Sequence, residues 1–189
     1  MKDFIVVKKF ITADQCSQLA DKIDLYVSSG YTITDSQCPN SPSFYGIFND
    51  ESILFLPFIE ELLGKKLSPT YTYARLYKPG ELLLPHKDRG ACEHSFTLSI
   101  KTDKEPWPFY LETSHGIEEI LLEDGDMLVY NGVQDLHWRM RLTNQFQYQG
   151  FFHYVDQAGP YADKKNDGHD KFLTTNEAIE HLRNKNVLQ

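Results

Sequence analysis

The second half of the sequence constrains the fold most, because short β-forming runs recur there with a turn signal between most of them. From about residue 69 the runs are 70–77, 82–87, 95–101, 109–112, 117–122, 127–130, 137–142 and 145–155. Pro79-Gly80, Arg89-Gly90, Glu105-Pro106, Asp124-Gly125 and Asn131-Gly132 punctuate them, dipeptides whose backbone preferences favour turns. Eight closely spaced strands with tight turns predict a sandwich or barrel. The 12 Phe, 11 Tyr and 2 Trp residues suit that architecture, since aromatic side chains pack well on a pleated surface.

The first part reads differently. Residues 4–7 form a short strand pattern, and Thr12-Ala-Asp-Gln15 has the spacing of a capping box. A helix to about residue 26 follows, with Cys16, Leu19, Ile23 and Tyr26 on one face. Residues 29–49 are rich in Ser, Gly, Pro and Asn and predict a long loop. A second helix is predicted over 50–63, ended by Gly64 and containing Pro57. Residues 157–173 read as a polar loop, after which Thr175 or Asn176 caps a last helix to about residue 184. The organisation expected is one domain over 1–189, with helical support in 1–68, a β core in 69–156 and a C-terminal extension in 157–189.

Composition excludes several classes. A chain of 189 residues with net charge -8 and pI about 5.3 repels phosphate backbones, so nucleic acid is not expected as a partner. Cys16, Cys38 and Cys92 are odd in number and share no CxxC spacing, which predicts reduced thiols in a cytoplasmic protein. No apolar run reaches bilayer length, and the start MKDFIVVKKF is too short and too charged for a secretory signal. No pattern specifies an oligomeric state.

Chemistry concentrates at His86-Lys87-Asp88. On an extended strand, residues two apart share a face, so His86 and Asp88 can bind one ion side by side. His137 is the best third ligand, because the turn–strand–turn run 125–132 before it returns the chain to the same end of a barrel. Two histidines and a carboxylate form the facial triad of non-haem iron(II) oxygenases, which leaves coordination positions open. A structural zinc site would be closed by four ligands.

The wider context resembles the prolyl-4-hydroxylase-like branch of the iron(II)/2-oxoglutarate oxygenases, and in particular its compact bacterial and phage members. The resemblance rests on Tyr73-Ala-Arg-Leu-Tyr-Lys-Pro-Gly80, Leu84-Pro-His-Lys-Asp88 and Ser95-Phe-Thr-Leu-Ser-Ile100. The run 125–132, His137-Trp-Arg139 and His153-Tyr-Val-Asp156 extend it. It implies a mainly β fold with supporting helices around a double-stranded β-helix, or jelly-roll, core. It also implies Fe(II), 2-oxoglutarate and O₂ as cofactor and cosubstrates. The reaction would hydroxylate an unactivated C–H bond of a small molecule or amino-acid side chain, with release of succinate and CO₂. An intact Asp88 favours hydroxylation over halogenation, since related halogenases replace this carboxylate.

In one place the sequence departs from that pattern. The family cation about ten residues after the distal histidine is missing, and 144–149 reads Asn-Gln-Phe-Gln-Tyr-Gln. A dianionic cosubstrate still needs a positive partner. Arg139, two residues after His137, is the first choice, because a planar guanidinium suits a carboxylate. Lys101 is the second, at a position resembling that of the lysine in asparaginyl-hydroxylase and jumonji-type members. Tyr77 matches a family tyrosine facing the cosubstrate. His153, in the last strand, is read as structural or as a competitor of His137. The rival readings are a cupin-like metalloenzyme without 2-oxoglutarate, a non-catalytic binding or sensing domain on the same barrel, and a zinc hydrolase.

Overall fold

The computed structural model describes residues 4–33 and 35–185. Residue 34 of the predicted loop and residues 186–189 of the predicted tail lie outside that range. The strands are β1 (Phe4–Val7), β2 (Ser43–Tyr45), β3 (Leu67–Tyr77), β4 (Leu83–His86), β5 (His94–Thr102), β6 (Phe109–Thr113), β7 (Gly116–Ile120), β8 (Met127–Tyr130), β9 (His137–Arg139) and β10 (Gln147–Asp156). The helices are α1 (Ala13–Ser28), α2 (Asn49–Leu63) and α3 (Thr175–Asn184). A larger sheet has the order β1-β8-β5-β10-β3-β2 and a smaller one the order β4-β9-β6-β7. All pairings are antiparallel. From β3 onward the chain passes back and forth between the two sheets, which makes the core a double-stranded β-helix.

The larger sheet has two unlike faces, as the period of two along a strand requires. One face carries Ala74, Leu76, Phe96, Leu98, Phe152 and Tyr154, which bury against Ile23 of α1, Ile59 of α2 and Ile179 of α3. Helix α1 starts at the capping box read from the sequence, with Thr12 accepting from the Gln15 amide and Gln15 accepting from the Thr12 amide. Helix α2 runs through Pro57 without ending, because Pro57 faces solvent, where water can serve the carbonyl it leaves unpaired. It stops at Gly64, whose φ of 63° puts it in the left-handed region.

Three local features differ from the sequence-based expectation. The segment before residue 68 is not helical support alone, since β1 pairs with β8 and β2 with β3 at the two edges of the larger sheet. β2 escapes a sequence reading because three residues are too few to show alternation. The last helix is capped by Thr174, which with Glu177 forms a second capping box, while the Thr175 hydroxyl accepts from the Asp50 amide. Residues 162–168 form tight 3₁₀ turns in which Asn166 and Asp167 have φ of 58° and 52°.

Asn49 knits three of these parts together. Its buried amide accepts from the Thr72 backbone and hydroxyl (3.2 and 2.9 Å) and donates to the Leu173 carbonyl (2.9 Å). Replacing it leaves buried partners unsatisfied, which costs about 1–3 kcal/mol per group. Asn49→Ala is expected to lower the denaturant midpoint by the equivalent of about 2–4 kcal/mol. A midpoint within experimental error of wild type would refute that role.

Candidate active site

The second face of the larger sheet points into the barrel and is polar. Tyr71, Tyr73, Arg75 and Tyr77 project from β3, Phe151 and His153 from β10, and all six line a cavity of about 320 Å³. His86 and Asp88, at and just beyond the end of β4, and His137 on β9 complete its wall. The three residues read from the sequence as ligands therefore meet in one place.

Their geometry follows from strand pairing. β4 and β9 are antiparallel neighbours in which His86 lies opposite His137. The Asp88 amide donates to the Gly132 carbonyl (2.8 Å), which draws the residues after β4 toward the turn that precedes β9. Asp88 Oδ1 lies 3.6 Å from His86 Nε2 and 3.7 Å from His137 Nε2. The Nδ1 atoms of His86 and His137 lie 2.8 and 2.9 Å from the carbonyls of Leu84 and Asp135. With Nδ1–H donating to those carbonyls, each Nε2 keeps a lone pair directed at the common point, the arrangement that outer hydrogen bonds impose on metal-binding histidines. Burial lowers His137 to about 4, so it is neutral at physiological pH. The donor set thus fits a divalent metal held on one face.

Asp88 is positioned from its other side too. Ser95 Oγ donates to Asp88 Oδ2 (3.2 Å) and lies 3.1 Å from His153 Nδ1. Gly132 packs so closely that an added Cβ would collide with the Asp88 carboxylate and lie 2.6 Å from the Cys92 carbonyl. Asp88, Cys92 and His153 form a second trio able to surround an ion. Burial pushes the Cys92 thiol up to about 12, however, and a protonated thiol is a poor ligand.

The cations expected to hold a cosubstrate sit in unlike places. Arg139 points inward from β9 and is buried. Its Nη1 donates to the Trp107 carbonyl (2.5 Å) and its Nη2 to Gln149 Oε1 (3.4 Å), and its guanidinium lies over the Trp107 and Phe109 rings. No carboxylate among the described residues pairs with it, and burial lowers it to about 10. Lys101 is exposed. β5 and β10 shift register between Tyr148 and Gln149, where Ile100 is the extra residue. That bulge turns the Lys101 side chain to the outer face, 5.9 Å from the Phe146 and Tyr148 rings. Tyr77 is fully buried in the cavity wall beside Trp107, its ring 4.8 Å away edge-on. Arg75 was not singled out by sequence reasoning. It stands two residues before Tyr77 and so shares its inward face, a signal the alternation of β3 already carried.

No protein-family model matches the sequence, and no curated protein matches it. Solved structures do. The chain is similar to a prolyl hydroxylase from Trichoplax adhaerens in complex with a hypoxia inducible factor peptide fragment, with a TM-score of 0.69 and 10% identity over 90% of this chain and 89% of that one. It is similar to HygX from Streptomyces hygroscopicus with nickel, 2-oxoglutarate and hygromycin B bound, with a TM-score of 0.68 and 11% identity over 93% and 95%. A Pseudomonas putida prolyl-4-hydroxylase aligns at a TM-score of 0.62 and 13% identity over 80% and 92%. At these identities the likeness is one of fold: the chain has the jelly-roll architecture of the 2-oxoglutarate oxygenases.

Two measurements follow from this geometry. Gly132→Ala is expected to keep the fold but lower divalent-metal affinity at least about tenfold by displacing Asp88, in the range seen when groups supporting metal ligands are lost. Unchanged affinity would show that Asp88 is not a ligand. The second concerns pH. Burial lowers both His137 and His153 to about 4. Unfolded imidazoles bind protons below about 6.5, while the folded ones stay neutral until about 4. The metal-free protein should therefore lose stability as pH falls from about 6.5 toward 4. Asp88, raised by burial, acts in the opposite sense and softens the loss at the acid end. Denaturant midpoints of metal-free protein at pH 7.5 and 5.0 check this, with a flatter profile expected for His153→Asn.

Proposed function

We propose that the protein is an Fe(II)- and 2-oxoglutarate-dependent oxygenase whose metal ligands are His86, Asp88 and His137. The observation that carries this reading is the opposition of His86 and His137 across paired strands, both facing Asp88 Oδ1. The fold likeness to HygX, whose structure holds nickel and 2-oxoglutarate, supports it. Bound iron and 2-oxoglutarate would supply the oxidising power drawn from O₂, with succinate and CO₂ as by-products.

The residues of the chain do the rest. His86, Asp88 and His137 leave one side of a metal open, where a 2-oxo acid can chelate. Arg139 is the partner we assign to the far carboxylate of 2-oxoglutarate. A buried guanidinium without a carboxylate is costly, and an incoming one would relieve that cost. Tyr77 and Tyr130 line the adjoining cavity wall, where a hydroxyl can donate to the same carboxylate. The outward turn at Ile100 leaves Lys101 the weaker choice. The substrate is a small molecule or an amino-acid side chain, hydroxylated at an unactivated C–H bond, which suits the size of the cavity. The fold likeness to enzymes solved with hygromycin B and with a peptide fragment is consistent with either kind.

Adding Fe(II) to anaerobic protein and then 2-oxoglutarate should produce a weak visible charge-transfer band that needs both additions and is lost in His86→Ala. Bound iron without a band would rule out 2-oxoglutarate chelation and favour a cupin-like enzyme. Arg139→Gln is expected to weaken 2-oxoglutarate binding about 30-fold or more, as when one partner of a buried charge pair is removed. Metal affinity should hold in that variant, and Lys101→Ala should change neither.

A further inference from the structure

Two guanidiniums among the described residues line the cavity, Arg75 and Arg89, and each already holds a carboxylate, Asp35 and Asp167 respectively. Arg75 is 3% exposed and lines the same cavity as the metal triad. Its Nε donates to Ser43 Oγ (3.0 Å), its Nη1 to the Tyr77 hydroxyl (3.3 Å) and its Nη2 to the Tyr73 hydroxyl (3.3 Å). Nη2 also donates to Asp35 Oδ2, and the Tyr73 hydroxyl donates to that same oxygen at 3.0 Å. One guanidinium and one phenol thus converge on a carboxylate oxygen inside an enzyme cavity.

That carboxylate comes from a loop. Asp35 belongs to no strand or helix; its other carboxylate oxygen accepts from the Gln37 amide (2.8 Å) and its backbone carbonyl from the Cys38 amide (3.2 Å). On either side of Asp35 the Ile33 amide donates to the Ser43 carbonyl (2.8 Å) and the Cys38 thiol to the Leu82 carbonyl (3.3 Å). The Asp35 carboxylate takes part in no strand pairing, so a change of side-chain rotamer can release Arg75 without unpairing a strand.

We propose that Arg75 with the Tyr73 hydroxyl is a seat for a carboxylate of the molecule being oxidised, and that Asp35 fills the seat until that molecule arrives. The proposal rests on the oxygenase reading and narrows it to a substrate bearing a carboxylate. It gives this carboxylate a place apart from Arg139. A ligand carboxylate and Asp35 cannot hold Nη2 together, so binding displaces the Asp35 carboxylate. The cost of displacing Asp35 sets a ceiling on the affinity of any carboxylate there, and ligands lacking the group leave Asp35 in place.

The test uses zinc-loaded protein saturated with 2-oxoglutarate and ¹³C-acetate as the probe, followed by NMR titration. Asp35→Asn is nearly isosteric and removes the internal competitor. Acetate affinity is expected to rise at least about fivefold in Asp35→Asn, a gain that misfolding cannot produce, and to be lost in Asp35→Asn/Arg75→Gln. If acetate binds no better to Asp35→Asn, the pair is a structural ion pair and the proposal falls. If 2-oxoglutarate itself gains affinity in Asp35→Asn and excludes acetate, Arg75 serves the cosubstrate, and the proposal falls while the oxygenase reading stands. Failure of the oxygenase reading would show separately, as no charge-transfer band with Fe(II) and 2-oxoglutarate in wild-type protein.

Discussion

The pairing of β4 with β9 is the constraint on which the site depends. It sets His86 opposite His137, and the side-chain period of two means that a slip of one residue would send one imidazole out of the barrel. The pairing is short, since β9 has only three residues, so it cannot hold its register alone. Its support comes from the bond between Asp88 and Gly132, from the stacking of Phe109 on His137, and from β6 on the far side of β9. The three proposed ligands are thus part of the closure of the smaller sheet, and a metal held there would stabilise that closure by mass action.

The larger sheet carries the opposite burden. Its helix-facing side supplies most of the apolar core. Its inward side buries Thr97, Ser99, Gln147, Gln149 and Arg75, groups that a barrel built only for stability would exchange for aliphatic ones. All but Arg75 satisfy one another: Gln149 donates to Thr97 (2.6 Å) and Gln147 to Ser99 (3.1 Å), while Arg139 of the smaller sheet donates to Gln149 (3.4 Å). Such a network keeps side chains in fixed rotamers around a cationic centre. It does so at a cost in transfer free energy that the apolar face offsets.

Much of this was legible in the sequence, and the parts that were not share a physical reason. The strands of the core, the capping box of α1 and the Gly64 stop depend on neighbours within a few residues, and they were read with small boundary errors. The meeting of His86 and Asp88 in one cavity wall was legible because a period of two puts them on one face. The outward turn of Lys101 was not, because a bulge depends on the partner strand and leaves no mark in its own sequence. Asp35 and Arg75 lie 40 residues apart in the chain, and nothing local in the loop reports the arginine it meets. The cap at Thr174 was missed by one residue, although Glu177 three positions later marks it.

The order of strands in the larger sheet has a consequence for how the chain is made. β10 lies between β5 and β3 at the centre of that sheet, yet among the described strands it is the last in chain order. Until residue 156 has left the ribosome, β3 and β5 each present an open row of backbone donors and acceptors, the kind of edge that recruits other chains. The nascent chain is therefore most vulnerable to aggregation between the emergence of β5 and that of β10. Insertion of a single strand ends that exposure and, by placing His153 and Phe151 in the wall, finishes the cavity in the same step.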